Sequence, residues 1–338
     1  MRAKELAALV VLAALWGGSF LFIRVAAPAL GPFPLAAGRV MLAALVLWAG
    51  MRAFGQRPAI RANARKLLVL GALNAAVPFS LIAAAELRLT ASLAAMLNAT
   101  VPLWGALFGV LWLGERVTVR RAAGLVLGVV GVGVLVGWSP MAMSTGTLLS
   151  VGAMLAATCA YALAGVYTKR ALGGVPASTL ALGQQLAAAA WLVAPALWRL
   201  PQAQPTRPAM LALLALALLS TTVAYLLYFH LIAAIGPTKA STTAYLLPVF
   251  GTVWGALFLG EAVSAGMLVG LAVVLGSVLL VNDVRLGRLA PRSRRSALGA
   301  RPSASRRRSA PPAAPPPPGA PAARPYSSGR AAAESRNL

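Results

Sequence analysis

From residue 5 to residue 282 the chain alternates long apolar runs with polar breaks. A helix needs about 20 mostly apolar residues to cross a hydrocarbon core roughly 30 Å thick. Runs of that kind stand at roughly 5–25, 33–51, 67–86, 91–113, 119–138, 146–168, 177–198, 209–231, 239–259 and 264–282. The breaks carry turn and charge signals: Gly31-Pro32, Arg57-Pro58, Gly114-Glu115-Arg116, Ser139-Pro140, Gly173-Gly174, Pro201 to Pro208, Gly236-Pro237 and Gly260-Glu261. Most are short, so neighbouring helices are expected to be antiparallel. The runs are too long and too rich in Ala, Leu and Gly for barrel strands, which alternate over about ten residues. The pattern predicts an all-α integral membrane protein of ten transmembrane helices.

Composition removes the soluble alternatives. The 338 residues are 59% hydrophobic and 11% charged, with mean hydropathy +0.80. A water-soluble domain carries about twice that charge. One cysteine, Cys159, leaves no internal disulfide and no cysteine-built metal cluster. One histidine, His230, argues against a histidine metal site. The sequence therefore points to passage of a solute rather than to catalysis, with no cofactor and no metal expected. Arg2 and Lys4 before an apolar core resemble a signal peptide. No small-residue cleavage site follows, and a retained first helix is expected.

The net charge of +24 has two sources. Residues 284–338 hold twelve Arg and one Glu among many Pro, Ser and Ala. Such a segment cannot bury enough apolar surface to offset its ordering entropy, so it reads as a disordered basic tail. Anionic lipid headgroups, not a specific nucleic acid, are its expected partner. The rest sits in the loops. With the N-terminus in the cytoplasm, 13 core positive charges fall inside: Arg2, Lys4, Arg52, Arg57, Arg61, Arg65, Lys66, Arg116, Arg120, Arg121, Lys169, Arg170 and Lys239. Four fall outside: Arg24, Arg88, Arg199 and Arg207. This bias predicts a cytoplasmic-membrane protein with both termini inside.

The chain also repeats itself. At a constant offset of 146, Pro102, Gly105, Leu113, Gly114, Glu115, Val117, Gly124 and Leu125 recur as Pro248, Gly251, Leu259, Gly260, Glu261, Val263, Gly270 and Leu271. This divides the chain into a first five-helix repeat, 1–138, a second, 146–282, and the tail, 284–338. Five is odd, so the second repeat must enter from the opposite side, and the halves are expected to be inverted repeats. The loop charges agree: Arg116, Arg120 and Arg121 follow Gly114-Glu115, whereas no Lys or Arg follows Gly260-Glu261.

Trp16-Gly17, Arg39, Pro102 and the Gly114-Glu115-Arg116 turn before a Gly-rich fifth helix, with Pro248 and Gly260-Glu261 in the second half, resemble the EamA-type branch of the drug/metabolite transporter superfamily. The resemblance covers about 5–282. It implies two EamA repeats in a ten-helix fold and a transporter, often an exporter of amino acids, other metabolites or toxic compounds. Gln185 stands where Arg39 would repeat, which makes the halves unequal and leaves the substrate open.

Several residues are candidates for the pathway. Pro102 and Pro248 free a backbone carbonyl mid-span, either as a pathway kink or as packing. Asn98 precedes Pro102 by four residues, as Asn74 precedes Pro78. Thr221, Tyr225 and Tyr228 share one face of the eighth helix, and Ser241, Thr242, Thr243 and Tyr245 enter the ninth. Trp16, Tyr161, Trp104 and Trp254 suit aromatic walls, though an interfacial belt explains Trp equally well. Arg39 is a charge within a span and a candidate for a substrate carboxylate. Glu86, near the outer end of the third helix, is either a proton-coupling carboxylate or the partner of Arg88. His230 and Lys239 read as interfacial. Gly124-xxx-Gly128 and Gly266-xxx-Gly270 suit close packing of the fifth and tenth helices, within one chain or across a homodimer.

No G-x-x-x-x-G-K-[ST] phosphate loop is present, so direct use of ATP is not expected. The reading is a secondary transporter, exporting small metabolites of amino-acid-like or amphipathic character by alternating access. The alternative is a membrane scaffold or lipid-translocating protein without a solute site.

Overall fold

The computed structural model describes residues 2–282; the basic tail expected over 284–338 lies outside the described residues. Helices are the only extended elements among them. Eight are long and apolar enough to cross a membrane: α1 Ala3–Leu30, α2 Pro32–Ala53, α3 Arg61–Ala85, α4 Ala91–Leu113, α5 Val119–Gly137, α6 Thr145–Ala171, α7 Ala177–Gln202 and α8 Arg207–Ile235. Two shorter apolar helices follow, α9 Thr243–Leu259 and α10 Ala265–Val281. A single turn, Pro237–Ala240, precedes α9.

Helix starts are written in the sequence. Thr90, Thr118, Ser144, Thr206 and Ser264 each accept a backbone N–H three residues on. Such a cap contributes about 1 kcal/mol by satisfying an otherwise orphaned donor. α1 ends at Gly31, whose φ of +80° favours glycine, and Pro32 opens α2 with its ring-fixed φ. The outer faces stay apolar: Val129, Leu149, Trp198 and Leu257 are each at least 70% exposed. That surface needs lipid around it.

Small residues set the helix contacts. α5 lies along α10, where a Cβ on Gly131 would stand 2.9 Å from the Val274 backbone nitrogen and one on Gly270 would stand 2.6 Å from that of Leu135. The glycine stripe is thus used within the chain. α1 crosses α9 at Gly17, whose Cβ would meet the Gly251 nitrogen at 2.8 Å. The most extensive pairings have a regularity. α1 packs on α9 and α6 on α4; α3 packs on α6 and α8 on α1; α3 packs on α7 and α8 on α2; α2 packs on α7, α4 on α9 and α5 on α10. Exchanging α1–α5 with α6–α10 returns this set; smaller contacts within the first half, such as α2 on α3 and α1 on α4, have no counterpart of similar extent in the second.

The offset of 146 is visible in the backbone as well. α3 turns π-helical over Ala72–Ala76, and α8 does so over Leu218–Val223. Gly114 and Gly260 both cap in the left-handed region, at φ +67° and +63°. After each, the glutamate N–H reaches back to a glycine carbonyl, Glu115 to Gly109 and Glu261 to Gly255. Pro102 and Pro248 do not match. Pro102 stands just past a break at Ala99–Thr100 that divides α4, whereas Pro248 sits inside the continuous α9. The corresponding break in the second half comes earlier, at Ser241-Thr242.

Candidate functional site

A cavity of about 660 Å³ lies among the helices. Its wall includes Trp16, Phe20 and Ile23 of α1, Arg39 of α2, Asn74, Phe79 and Ile82 of α3, Asn98 and Val101 at the α4 break, Tyr161, Thr168 and Lys169 of α6, Gln184 of α7, Tyr225, Tyr228 and Phe229 of α8, and Ala244 and Leu247 of α9. It brings together seven of the residues chosen from the sequence: Trp16, Arg39, Asn74, Asn98, Tyr161, Tyr225 and Tyr228. Three chosen with them stand outside it. Tyr245 turns away to take a hydrogen bond from Asn282 Nδ2 at 3.1 Å and packs beside Leu103 and Val278. Pro102 and Pro248 are also absent from the wall, where their neighbours Val101 and Leu247 take the place; one step along a helix turns a side chain by about 100°.

The two π-helical segments serve the cavity differently, one by lining it and the other by holding Arg39. π-turns widen a helix locally and strand carbonyls from the regular ladder. In α3 this exposes Asn74, whose Nδ2 donates to Gln184 Oε1 at 2.7 Å. Pro78, which has no N–H to offer the Asn74 carbonyl, follows directly. Proline is not the general cause, because Ala224 holds the equivalent position in α8. There hydroxyls answer the stranded carbonyls: Thr221 donates to Leu216 O at 2.9 Å and Thr222 to Ala217 O at 3.0 Å. Thr221 Oγ1 also accepts from Arg39 Nε at 2.8 Å.

Arg39 is 6% exposed, and its guanidinium carbon lies 3.7 Å from the centre of the Phe79 ring. The ring face offsets part of the cost of burying the cation. Among the described residues no carboxylate pairs with it, and Nε is its hydrogen-bonding nitrogen. Aromatic rings continue the wall. Trp16 meets Tyr228 at 5.2 Å and Tyr225 at 6.5 Å, and Phe79 meets Tyr161 at 6.5 Å. A cation set among amides, phenols and aromatic faces can hold a small solute with one anionic and one apolar part.

Other candidates do structural work. Trp104 Nε1 donates to Thr158 Oγ1 and Trp254 Nε1 to the Ala14 carbonyl, each tying two helices together. Glu86 lies one residue past the third span and is fully buried. It does not pair with Arg88. Arg24 Nη1 donates to its backbone carbonyl, and neither carboxyl oxygen has a hydrogen-bond partner among the described residues. Burial holds the Glu86 carboxyl well above the usual carboxylate range; Glu261 adds to this, while Arg24 and Arg39 oppose it. Glu86 is not part of the cavity wall.

Sequence reasoning passed over Gln184, which lines the cavity, and noted only Gln185, which is buried with its amide unpartnered among the described residues. Two adjacent amides in the middle of an apolar run were the available signal. Gly109 and Gly255, which also obey the offset of 146, were another. Each leaves room for the carboxylate of the following Gly-Glu turn to fold back over it. The two glutamates then diverge. Glu115 pairs with Arg121 at 2.9 Å. Glu261 accepts from the N–H groups of Ala91 and Ser92 at 2.7 and 2.8 Å and from Ser92 Oγ at 2.6 Å, capping α4 from the other half of the chain. Negative charge is stabilising at a helix N-terminus.

Fold and cavity together define a multi-pass membrane protein with a solute-sized space among its helices. The sequence profile of the EamA-like transporter family matches residues 4–137 and again 148–283. The chain belongs to this family. It is 28% identical over 185 residues to an uncharacterized transporter of Bacillus subtilis, YvbV, covering 54% of this chain and 59% of YvbV. The chain thus spans about three-fifths of that relative. It is 25% identical over 287 residues to a protein of Streptantibioticus cattleyicolor named as a probable terminal-alkyne amino-acid exporter, covering 84% and 95% of the two chains. A solved structure, titled only as the crystal structure of a protein, shares the fold at a TM-score of 0.61 and 20% identity, covering 84% of this chain and 99% of the other.

Proposed function

We propose that this protein is a secondary active exporter of small zwitterionic or amphipathic metabolites, bearing a carboxylate, across the cytoplasmic membrane. The observation that carries the proposal is Arg39: a buried guanidinium, held by Thr221 and Phe79 and unpaired with any described carboxylate, inside an aromatic-walled cavity of about 660 Å³. A permanent cation in that setting favours a ligand that brings its own negative charge. The exporter relative makes amino-acid-like solutes the first class to test.

The mechanism we propose is alternating access between two inverted halves, α1–α5 and α6–α10, in a ten-span bundle with both termini cytoplasmic. The exchange symmetry of the most extensive helix contacts and the π-turns offset by 146 support two related halves; the odd helix number and the loop charges support their inversion. The cavity extends to Lys169, on the side assigned to the cytoplasm, so this conformation reads as inward-open. We assign proton binding to Glu86, whose buried carboxyl has no hydrogen-bond partner among the described residues and is influenced by the charges of Glu261, Arg24 and Arg39.

The test is site-directed labelling of the active transporter in a Cys159→Ala background. Asn98→Cys and Ala244→Cys should react with a small water-soluble thiol reagent, and substrate should slow both reactions. Val129→Cys, on the lipid-facing side of α5, should stay unreactive. A transporting protein in which positions 98 and 244 are inert in every condition would place the pathway elsewhere. Reactivity that no amino-acid-like solute slows would reject the substrate class.

A further inference from the structure

A second pocket, of about 660 Å³, lies at one end of the bundle, where α2 ends and the chain turns toward α3 beside α7. Its chemistry differs from that of the central cavity. Arg52, Arg57 and Arg61 stand around it, all exposed, and no acidic side chain is in its wall. None of the three forms an ion pair among the described residues; Arg52 lies over the Trp48 ring, 5.4 Å from its centre. The floor is apolar, built from Met51, Ile60 and Leu182, and Leu186 continues it outward.

The clustering is fixed by the backbone. Gly55, at φ +68°, ends α2 in the left-handed region. The Gln56 N–H bonds the Met51 carbonyl at 2.8 Å, and that of Gly55 bonds Arg52 at 3.1 Å. This is the paired closure that satisfies the last carbonyls of a helix and reverses the chain. The reversal, followed by Pro58, brings Arg57 and Arg61 back to the helix end that carries Arg52. The three charges are therefore held near one another with no anion of the protein's own to offset them.

The depth of the pocket selects its ligand. α2 ends at Ala53 and α7 begins at Ala177, so the arginines sit at the level of lipid headgroups. Trp48 and Leu186, 47% and 42% exposed, lie roughly one and a half and two and a half turns inside those helix ends, where acyl chains begin. We propose that this pocket binds one anionic glycerophospholipid of the surrounding leaflet, phosphate on the three guanidinium groups and acyl chain along Trp48 and Leu186. Basic pockets between membrane helices take such headgroups, and arginine suits phosphate through its planar fork of donors. The site is separate from the central cavity and does not depend on the transported solute or on the direction of transport.

The experiment is native mass spectrometry of the purified full-length chain exposed to phosphatidylglycerol or to phosphatidylcholine of the same acyl chains. The wild-type protein should retain one phosphatidylglycerol in preference to phosphatidylcholine. Arg52→Gln, Arg57→Gln and Arg61→Gln together should lower that preference about a hundredfold, the attraction expected of three near-surface arginines. A control with an equal change of charge, Arg65→Gln, Lys66→Gln and Arg116→Gln, removes no residue of the pocket wall and should lose far less of that preference than the triple variant. Leu186→Asn, which removes part of the wall without changing charge, should weaken lipid retention and gives a second reading if the triple variant misfolds. Inorganic phosphate at tens of millimolar should not displace the lipid. Equal losses in the triple variant and the control would reduce the effect to diffuse surface charge and overturn the site. Wild-type retention in the triple variant would overturn it too, and ready displacement by inorganic phosphate would reassign it to a soluble anion.

Discussion

At the scale of single residues, Arg39 and Glu86 are the two ionisable side chains that are buried without an ion-pair partner among the described residues. Arg39 meets Thr221 through Nε and Phe79 through its planar face, and both contacts need a guanidinium. Arg39→Lys keeps the charge but loses both, so it is expected to rescue little. Transport of a carboxylate solute should fall roughly tenfold to hundredfold in Arg39→Gln, the worth of one charged hydrogen bond of about 1.5–3 kcal/mol. Initial rates in proteoliposomes, compared with a solute lacking the carboxylate, measure this. Equal loss for both solutes would make Arg39 structural.

Glu86 can be tested through pH. Its carboxyl is held above the usual range by burial. Between the ordinary carboxylate pKa and that raised value, the folded protein binds a proton that the unfolded chain has lost. Stability therefore falls as pH rises through this window. Glu86→Gln, neutral throughout, should remove that fall and gain on wild type as pH rises above the ordinary carboxylate range. Thermal unfolding of both proteins across that window would decide it; parallel curves would reject the assignment. If Glu86 also couples transport, the same substitution should flatten the pH dependence of the transport rate.

At the scale of elements, small residues and the Gly-Glu turns hold the bundle together. The α5–α10 contact has no room for a larger side chain at Gly131 or Gly270. Gly131→Leu should destabilise the protein by about 1–3 kcal/mol through overpacking, or prevent its accumulation. Gly133, with no atom within 4 Å of its Cβ position, is the matched control and should accept Ala nearly unchanged. The Glu261 cap joins the halves. Glu261→Gln removes the charge from three hydrogen bonds at the start of α4 and should cost about 1–3 kcal/mol, seen as a lower melting temperature. Glu115→Gln, half-exposed and facing Arg121, should cost less than about 1 kcal/mol. This asymmetry gives a physical reason for the missing arginine after Glu261: its charge is already engaged by α4.

At the scale of the whole molecule, the arrangement in the membrane is testable. Reporter fusions after residues 28, 140 and 203 should read as periplasmic, and those after 60 and 172 as cytoplasmic. They lie on the two sides to which four and thirteen core positive charges are assigned, respectively. A cytoplasmic signal at 140 would break the inversion of the halves.

The sequence by itself determined the all-helical membrane character, the repeat at an offset of 146, and the family. These rest on periodic apolar runs and on matched local turns, and both are properties of short stretches. It also named seven residues of the cavity wall, because an amide, a phenol or an arginine inside an apolar run has few places to go except inward. The tertiary structure decided the rest. It alone showed that Tyr245 faces Asn282 instead of the cavity, since a single residue step along α9 changes which neighbour a side chain meets. It alone revealed the π-turns, which pack against α1, α2 and α7, and with them the way Asn74 enters the cavity wall and Thr221 holds Arg39. Glu86 separated from Arg88, and Glu261 joined to α4, follow from contacts between residues far apart in the chain, which no local pattern encodes.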